Sequence, residues 1–333
     1  MNFREHLVAA WFSPRLTPLS VLLAPAALVF RGATIVRRAL YRRGLFQIER
    51  LPVPVIVVGN ITVGGSGKTP LTIALASELA RRGWRPGIVS RGYRATSRVP
   101  RAVGVDDDPD VVGDEPLLLA RTGFPVWIGA DRPAAARALL AAHRDRDLII
   151  ADDGLQHYAL ARDIEIAVID ASRGLGNGLP LPAGPLREPA ARLGAVDAIV
   201  HLGGTGDSRR EFAMTLAGER FVRVNDSAVS ADAALFRSGD VHAIAGIGDP
   251  ARFFAQLAAM GIAAQGHPFP DHHRFVAADL ALPGATTILM TEKDAVKCKG
   301  FADDRCWALP VSATVEPALL ALVERGLRGC KAA

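Results

Sequence analysis

Residues 55 to 70, Val-Ile-Val-Val-Gly-Asn-Ile-Thr-Val-Gly-Gly-Ser-Gly-Lys-Thr-Pro, restrict the fold of this chain more than any other stretch. Four β-formers (Val55, Ile56, Val57, Val58) run into a glycine-rich turn ending in Gly67-Lys68-Thr69, and an apolar segment with helical spacing follows over residues 71 to 80. Strand, glycine loop and helix in that order is the context of a phosphate-binding loop, or P-loop. The backbone from Thr62 through Val63, Gly64, Gly65 and Ser66 to Gly67 can turn its N–H groups inward around phosphate oxygens, and the helix start adds its positive dipole end. Lys68 is then placed to reach the β/γ-phosphates and the Thr69 hydroxyl to ligate Mg²⁺. One departure stands out: the strict pattern has glycine at position 62, where this chain has Thr62, with Gly64 and Gly65 inside the loop instead. The competing reading is a glycine-rich turn with an incidental lysine. It is disfavoured because the chain has only five lysines and one stands here.

A chain of 333 residues exceeds what one hydrophobic core usually organises, which predicts two domains. Half of the residues are hydrophobic, and glycine and proline are not periodic, so the chain is globular rather than collagenous or disordered. The net charge of +5 rests on arginine, 34 against 5 lysines, and the guanidinium fork suits phosphates and acidic lipid head groups. No basic helix or aromatic-interleaved patch calls for nucleic acid. The three cysteines, Cys298, Cys306 and Cys330, match neither a zinc site nor a disulfide framework and fit a reducing compartment. Near the N-terminus, residues 16 to 30 carry no charge and Arg31, Arg37, Arg38, Arg42 and Arg43 follow. This segment is shorter than the roughly 20 residues that span a bilayer, and Pro18 and Pro25 interrupt it. A signal peptide and a buried core helix are alternatives, but a downstream P-loop opposes export. A membrane-associated segment is expected, apolar side in the lipid boundary and arginines toward anionic head groups, with spanning left open.

Beyond the P-loop, Gly83 is placed to cap the first helix. Residues 86 to 90 form a second strand that delivers Arg91, Gly92, Tyr93 and Arg94 at its carboxyl end, the edge where doubly wound sheets bind ligands. Arg91 and Arg94 are candidates for an anionic group, against the alternative of solvated surface arginines. Residues 95 to 113 are polar, and Asp106, Asp107 and Asp108 fit a solvated acidic turn better than a metal site. In Gly113-Asp114-Glu115-Pro116, Asp114 is expected as a helix N-cap, and the same turn can face the P-loop. A third strand at 125 to 129 leads to Asp131 and Arg132. A fourth at 147 to 151 runs into Asp152-Asp153-Gly154. An apolar strand ending in paired aspartates about 80 residues after a P-loop reads as a Walker-B-type strand, one carboxylate holding Mg²⁺ and the other orienting it or a reactant. Gln156 and His157 share that edge. A fifth strand, 164 to 169, ends in Asp170.

Half of the residues from 174 to 189 are glycine or proline, which excludes regular structure. Arg187 and Glu188 in its middle would be wasted in a pure linker. The α/β alternation then resumes with segments at 198 to 202, 221 to 224 and 241 to 250, the last running into a strand-to-helix turn at Gly246-Ile247-Gly248, which lacks the third glycine of a dinucleotide fingerprint, and a helix at 253 to 260. His267, His272 and His273 cluster without cysteine partners, so proton handling with an aspartate fits better than a metal site. Residues 286 to 294 look strand-like and end in Thr291-Glu292-Lys293-Asp294. A guanine-reading motif needs one residue between lysine and aspartate, so GTP specificity is not indicated.

Together the segments Gly59 to Thr69, Ser90-Arg91-Gly92-Tyr93, Gly113-Asp114-Glu115-Pro116, Asp152-Asp153-Gly154-Leu155-Gln156-His157, Pro185-Leu186-Arg187-Glu188, Pro270-Asp271-His272-His273 and Thr291-Glu292-Lys293-Asp294 form a collinear series. The series resembles the tetraacyldisaccharide 4′-kinase family of lipid A biosynthesis, which shares the deviation at Thr62. The resemblance implies an α/β fold: a P-loop NTPase-type doubly wound sheet at 46–190, a second, smaller α/β domain at 191–333 closing the cleft, and an N-terminal membrane-associated helix within 1–45. It implies a monomeric enzyme on the cytoplasmic face of the bacterial inner membrane, using ATP and Mg²⁺ to phosphorylate the 4′-hydroxyl of a tetraacyldisaccharide 1-phosphate. Carried over residue by residue, Lys68 and Thr69 bind phosphate and Mg²⁺, Asp152 or Asp153 supports the metal, and Asp114 is the base, paired with His272. Arg91, Tyr93, Arg132, Gln156, His157, Arg187 and Glu188 become substrate contacts. The rival expectation is a membrane-associated P-loop ATPase or nucleotide switch acting on a protein partner.

Overall fold

The computed structural model describes residues 3–92, 99–206 and 208–331. Strands buried on both faces read as continuous apolar runs, and such strands, at 55–59, 86–90 and 148–152, build the centre of the first sheet. Its members are β1 (Val55–Gly59), β2 (Pro86–Ser90), β3 (Arg101–Ala102), β4 (Val126–Ile128), β5 (Leu148–Asp152), β6 (Ile164–Asp170), β7 (Ala198–Leu202) and β8 (Glu211–Ala217). β1 lies between β5 and β6, parallel to both, and all five of its residues are buried. Alternate residues of β1 face opposite layers: Ile56 and Val58 join one core cluster, Val55 and Val57 the other.

The second sheet contains β9 (Arg220–Arg223), β10 (Ser230–Asp232), β11 (Val241–Ala245), β12 (Gln265–Pro268), β13 (Thr287–Thr291) and β14 (Cys306–Leu309). Its order is β10-β9-β14-β13-β11-β12. The chain then returns: β15 (Ser312–Val315) pairs antiparallel with β8, completing a nine-stranded sheet of order β15-β8-β7-β6-β1-β5-β2-β4-β3. The expected division at residue 190 does not follow this pairing. β7 and β8 extend the first sheet in parallel register from β6, so the chain leaves it only after Ala217 and rejoins it at Ser312.

Among the helices, α1 (Phe3–Trp11) and α2 (Pro18–Arg42) precede both sheets. The helix α3 (Lys68–Arg81) follows the glycine loop, and α4 (Pro109–Val112) and α5 (Asp114–Ala120) follow β3. Next come α6 (Arg132–Ala142), α7 (Pro250–Ala259), α8 (Glu292–Cys298) and α9 (Pro317–Lys331). Leu71, Leu75 and Leu79 of α3 and Leu319, Leu320, Val323 and Leu327 of α9 enter one core layer; Ala135, Ala136 and Leu139 of α6 enter the opposite one.

Two local expectations change. Asp114 is the first residue of α5 rather than its N-cap; Gly113 holds the cap position at φ +92°, a backbone that suits glycine. The strand-like reading of 286 to 294 ends early, because the Thr291 hydroxyl accepts from the Asp294 N–H and starts α8. α2 is a single 25-residue helix, longer than the uncharged stretch and running through the arginines to Arg42. At 1.5 Å per residue it is about 37 Å long. Leu22, Leu28 and Val29 on it are exposed, Leu22 by 76%. The end of α1 and the start of α2 are tied to the glycine-proline segment: the Trp11 indole N–H donates to the Pro182 carbonyl at 2.8 Å, and the Asn177 amide donates to Ala10 O and Ser20 Oγ.

Candidate active site

The turn from Asn60 to Gly67 joins β1 to α3. Gly67 lies at φ +84° and gives α3 no side-chain cap, which leaves the first helical N–H groups facing the loop. Asn60, fully buried, donates to Ser66 Oγ at 3.0 Å and braces the loop across its width. The structure also accounts for Thr62. Its backbone bridges antiparallel to Leu186, the Val63 N–H donates to Pro185 O (2.9 Å), and the Arg187 N–H donates to Ile61 O (2.7 Å). Extended pairing favours a β-branched residue over glycine at that position.

Lys68 lies 3.7 Å from Asp153 Oδ1. The Thr69 hydroxyl donates to Asp152 Oδ2 at 3.3 Å and the Thr72 hydroxyl to Asp152 Oδ1 at 2.9 Å. The two aspartates thus separate. Burial, with Glu115 and Asp153 nearby, pushes the Asp152 carboxyl up to about 6. Burial raises Asp153 too, but Lys68 and Arg187 outweigh it and hold its carboxyl well below the usual range. Arg187 Nη1 bonds both Asp153 oxygens, at 3.1 and 3.2 Å, and Asp153 itself sits at φ +49°. Asp152 beside the Thr69 hydroxyl is an all-oxygen donor set whose raised proton affinity a divalent cation would relieve, so these residues fit Mg²⁺.

Opposite this edge, the second domain brings His272 to the first: its Nδ1 lies 3.0 Å from Asp114 Oδ2. Asp114 is buried, which raises its carboxyl, yet His272 and Lys293 hold it well below the usual range. An ionised carboxylate only accepts, so Nδ1 of His272 carries the hydrogen. Asp114, Glu115 and His272 offer donor atoms within 4.8 Å of one another, as a metal site would. The Lys293 ammonium already lies among them, 3.0 Å from Glu115 Oε1. A cavity of about 1050 Å³ opens beside the pair, lined by Leu117, Arg121, Phe275, Val296 and Phe301 among others.

The remaining expected residues fall into distinct places. Arg132 begins α6 and is 1% exposed; Nη1 donates to Gly129 O at 2.6 Å, while Nε and Nη2 have no partner among the described residues. Burial lowers it to about 10, against the pull of Asp153 and Asp152. His157 is lowered to about 3 by burial and by Arg132 and Arg91, so it is neutral. The Gln156 amide donates to Asn60 O at 2.9 Å and therefore supports the loop. Glu188 accepts from the Tyr158 hydroxyl and pairs with Arg192. That places it in a buried clasp next to Arg38 and Arg42 of α2. Arg91 is exposed at the end of β2, and Tyr93 and Arg94 lie outside the described residues.

Residues not singled out in advance complete the cleft. Arg173 Nη2 donates to Gly248 O at 2.7 Å, and Arg252 pairs with Asp170. A Cβ on Gly248 would lie 2.8 Å from the Gly65 nitrogen, so the second domain touches the P-loop directly. Lys293, Glu115 and Asp271 were legible only as parts of motifs, since their meeting depends on how the two sheets face each other.

The chain matches the family described as Tetraacyldisaccharide-1-P 4'-kinase over residues 19–328. It is 53% identical over 304 residues to the tetraacyldisaccharide 4′-kinase of Azoarcus sp. (strain BH72), covering 90% of this chain and 89% of the relative. The corresponding kinase of Dechloromonas aromatica (strain RCB) is 50% identical over 326 residues, with 96% of each chain covered. A crystal structure of LpxK from Aquifex aeolicus in complex with ATP superposes with a TM-score of 0.79 at 29% identity, covering 93% of this chain and 99% of that one. With the fold, the P-loop and the facing Asp114 and His272 in place, this chain belongs to the tetraacyldisaccharide 4′-kinase family.

Proposed function

We propose that this protein transfers the γ-phosphoryl group of ATP to the 4′-hydroxyl of a tetraacyldisaccharide 1-phosphate, forming lipid IVA in lipid A biosynthesis. The observation that carries this reading is the Asp114–His272 contact across the cleft, beside a P-loop with Lys68 and Thr69 in position. Phosphoryl transfer asks a protein mainly for positioning and charge neutralisation. Loop N–H groups and Lys68 hold the β- and γ-phosphates, while Arg132 offers two unpaired donors to an anionic oxygen. Thr69 and Asp152 would hold Mg²⁺, which would shield the phosphate charge. Asp153 orients Lys68 and Arg187 rather than the metal. The Asp114–His272 pair accepts the proton of the acceptor hydroxyl. Asp114 is held ionised, so the proton comes to rest on the imidazole.

The acceptor stays in a bilayer, and α2 supplies the means to meet it. Its exposed Leu22, Leu28 and Val29 enter the lipid, and the arginines from Arg31 to Arg43 face anionic head groups on the cytoplasmic side. Both halves of the site come from one chain, so the reading needs no second copy and takes the enzyme as a monomer at that surface. Incubating the purified protein with ATP, Mg²⁺ and the disaccharide 1-phosphate in detergent, followed by mass spectrometry of the lipid, tests the assignment. Unmodified lipid, with ATP hydrolysed or untouched, refutes it.

A further inference from the structure

The motif Thr291-Glu292-Lys293-Asp294 has no part in the chemistry above, yet it is built into the cleft. Its lysine stands in the first turn of α8, where the helix dipole disfavours a cation, so helix stability does not explain it. The side chain is largely buried and its Nζ lies 3.0 Å from Glu115 Oε1, 3.4 Å from Asp271 Oδ1 and 3.7 Å from Asp114 Oδ2. An ammonium has three donors, and three carboxylates meet it here, two of them from the other domain. The same Asp114 oxygen takes the His272 Nδ1–H.

Lysine and histidine are also mechanically joined. The His272 N–H donates to Gly246 O at 3.2 Å, and the Gly246 N–H donates to Asp294 Oδ2 at 3.0 Å. Asp294 is fully buried, takes the Thr291 hydroxyl at 2.6 Å and pairs with Lys297 at 2.7 Å. The start of α8 and the His272 turn therefore move as one piece, delivering an ammonium and an imidazole to Asp114 together.

We propose that Lys293 is a positioning residue for phosphoryl transfer: its ammonium gathers Asp114, Glu115 and Asp271 and keeps Asp114 an anion aligned on His272. This rests on the kinase reading above. Among the described residues, charged groups facing the pair include Lys293 and Lys297 on α8, Glu115 on α5 and Asp271 beside His272. Removing one positive charge from this set raises the proton affinity of the Asp114–His272 pair as a unit. The acid limb of the pH profile, which reports deprotonation of that pair, moves upward.

The test uses the full-length enzyme and the lipid acceptor, comparing K293M and K293R with the wild type, each also made in the D114N background. K293M is expected to lower kcat about 100-fold, to shift the acid limb of kcat/KM upward by about one pH unit, and to leave the KM for ATP within about threefold. K293R keeps the charge and the wild-type limb, which covers the case where K293M folds poorly. In the D114N background K293M adds less than about a threefold loss, because the lysine acts through Asp114. An unmoved acid limb in folded K293M overturns the proposal, as does an equal loss with and without Asp114. A wild-type enzyme that phosphorylates the acceptor while either result is found sinks this inference alone; an inactive wild type removes both.

Discussion

Arg132→Met separates stability from activity. A guanidinium held at about 10 rather than 12.5 carries roughly 3 kcal/mol of unfavourable charge burial at about 1.4 kcal/mol per pKa unit. The buried Nε and Nη2, without partners, are the structural side of the same penalty. Methionine removes this penalty but also the Nη1 bond to Gly129 O, leaving a carbonyl unpaired at about 1–3 kcal/mol. The net expectation is a folded state unchanged or more stable by up to about 2 kcal/mol, in line with apolar replacement of buried charges. Arginine is charged in folded and unfolded chain alike at neutral pH, and its folded value is lowered. The penalty is therefore constant well below about 10 and relaxes only as pH rises past it, so the gain should be equal at about pH 6 and pH 8. Activity should move the other way, by about 10²–10³ in kcat, as for loss of one transition-state anion donor. Urea unfolding and lipid phosphorylation on one preparation decide it. An R132M protein that loses more than about 2 kcal/mol while keeping most of its activity refutes the reasoning.

Asp114→Ala and His272→Ala should each lower phosphoryl transfer by about 10²–10⁴-fold, with ATP affinity, read by calorimetry, nearly unchanged; loss of nucleotide binding would remove them from the acceptor side. Gly248→Val puts a Cβ 2.8 Å from the Gly65 nitrogen and should raise the KM for ATP about tenfold or more by wedging the cleft open; a wild-type KM would mean that the domains meet elsewhere during turnover. Replacing Leu22 and Val29 by aspartate should release the protein from anionic vesicles in a flotation assay, and undiminished flotation would show that α2 is not the contact.

Strands β1, β2, β4, β5, β6 and β7 were legible because parallel strands inside a sheet read as apolar runs bounded by turn residues, as at 55–59 and 148–152, whereas the short, half-exposed β3 and the half-exposed β8 were not. Asp114 and His272 were legible as members of a family series, and the structure adds their 3.0 Å contact. Thr62 looked like a defect because the pattern describes the loop alone, whereas its reason lies about 120 residues away, at the Leu186 bridge. Gln156 and Glu188 were expected at the substrate. Polar side chains near a site carry no mark in sequence to say whether they face ligand or brace backbone, and these two reach Asn60 O and Tyr158. The return of β15 and α9 was illegible too, since short amphipathic elements do not declare which of two cores they will join.

That return gives the second domain two tethers, one at Gly218-Glu219 and one at Pro310-Val311, and they lie side by side: a Cβ on Gly218 would sit 2.6 Å from Pro310 O. Two adjacent tethers resist swivelling more than swinging about the line joining them, which is the direction along which the His272 and Lys293 contacts with Asp114 would open most easily. The order of synthesis is constrained as well. Residues 220 to 309 are contiguous, whereas β15 and α9, which close the layer over α3, are made after them. The nucleotide-binding half, begun first, is finished only after the strands of the second sheet have been made.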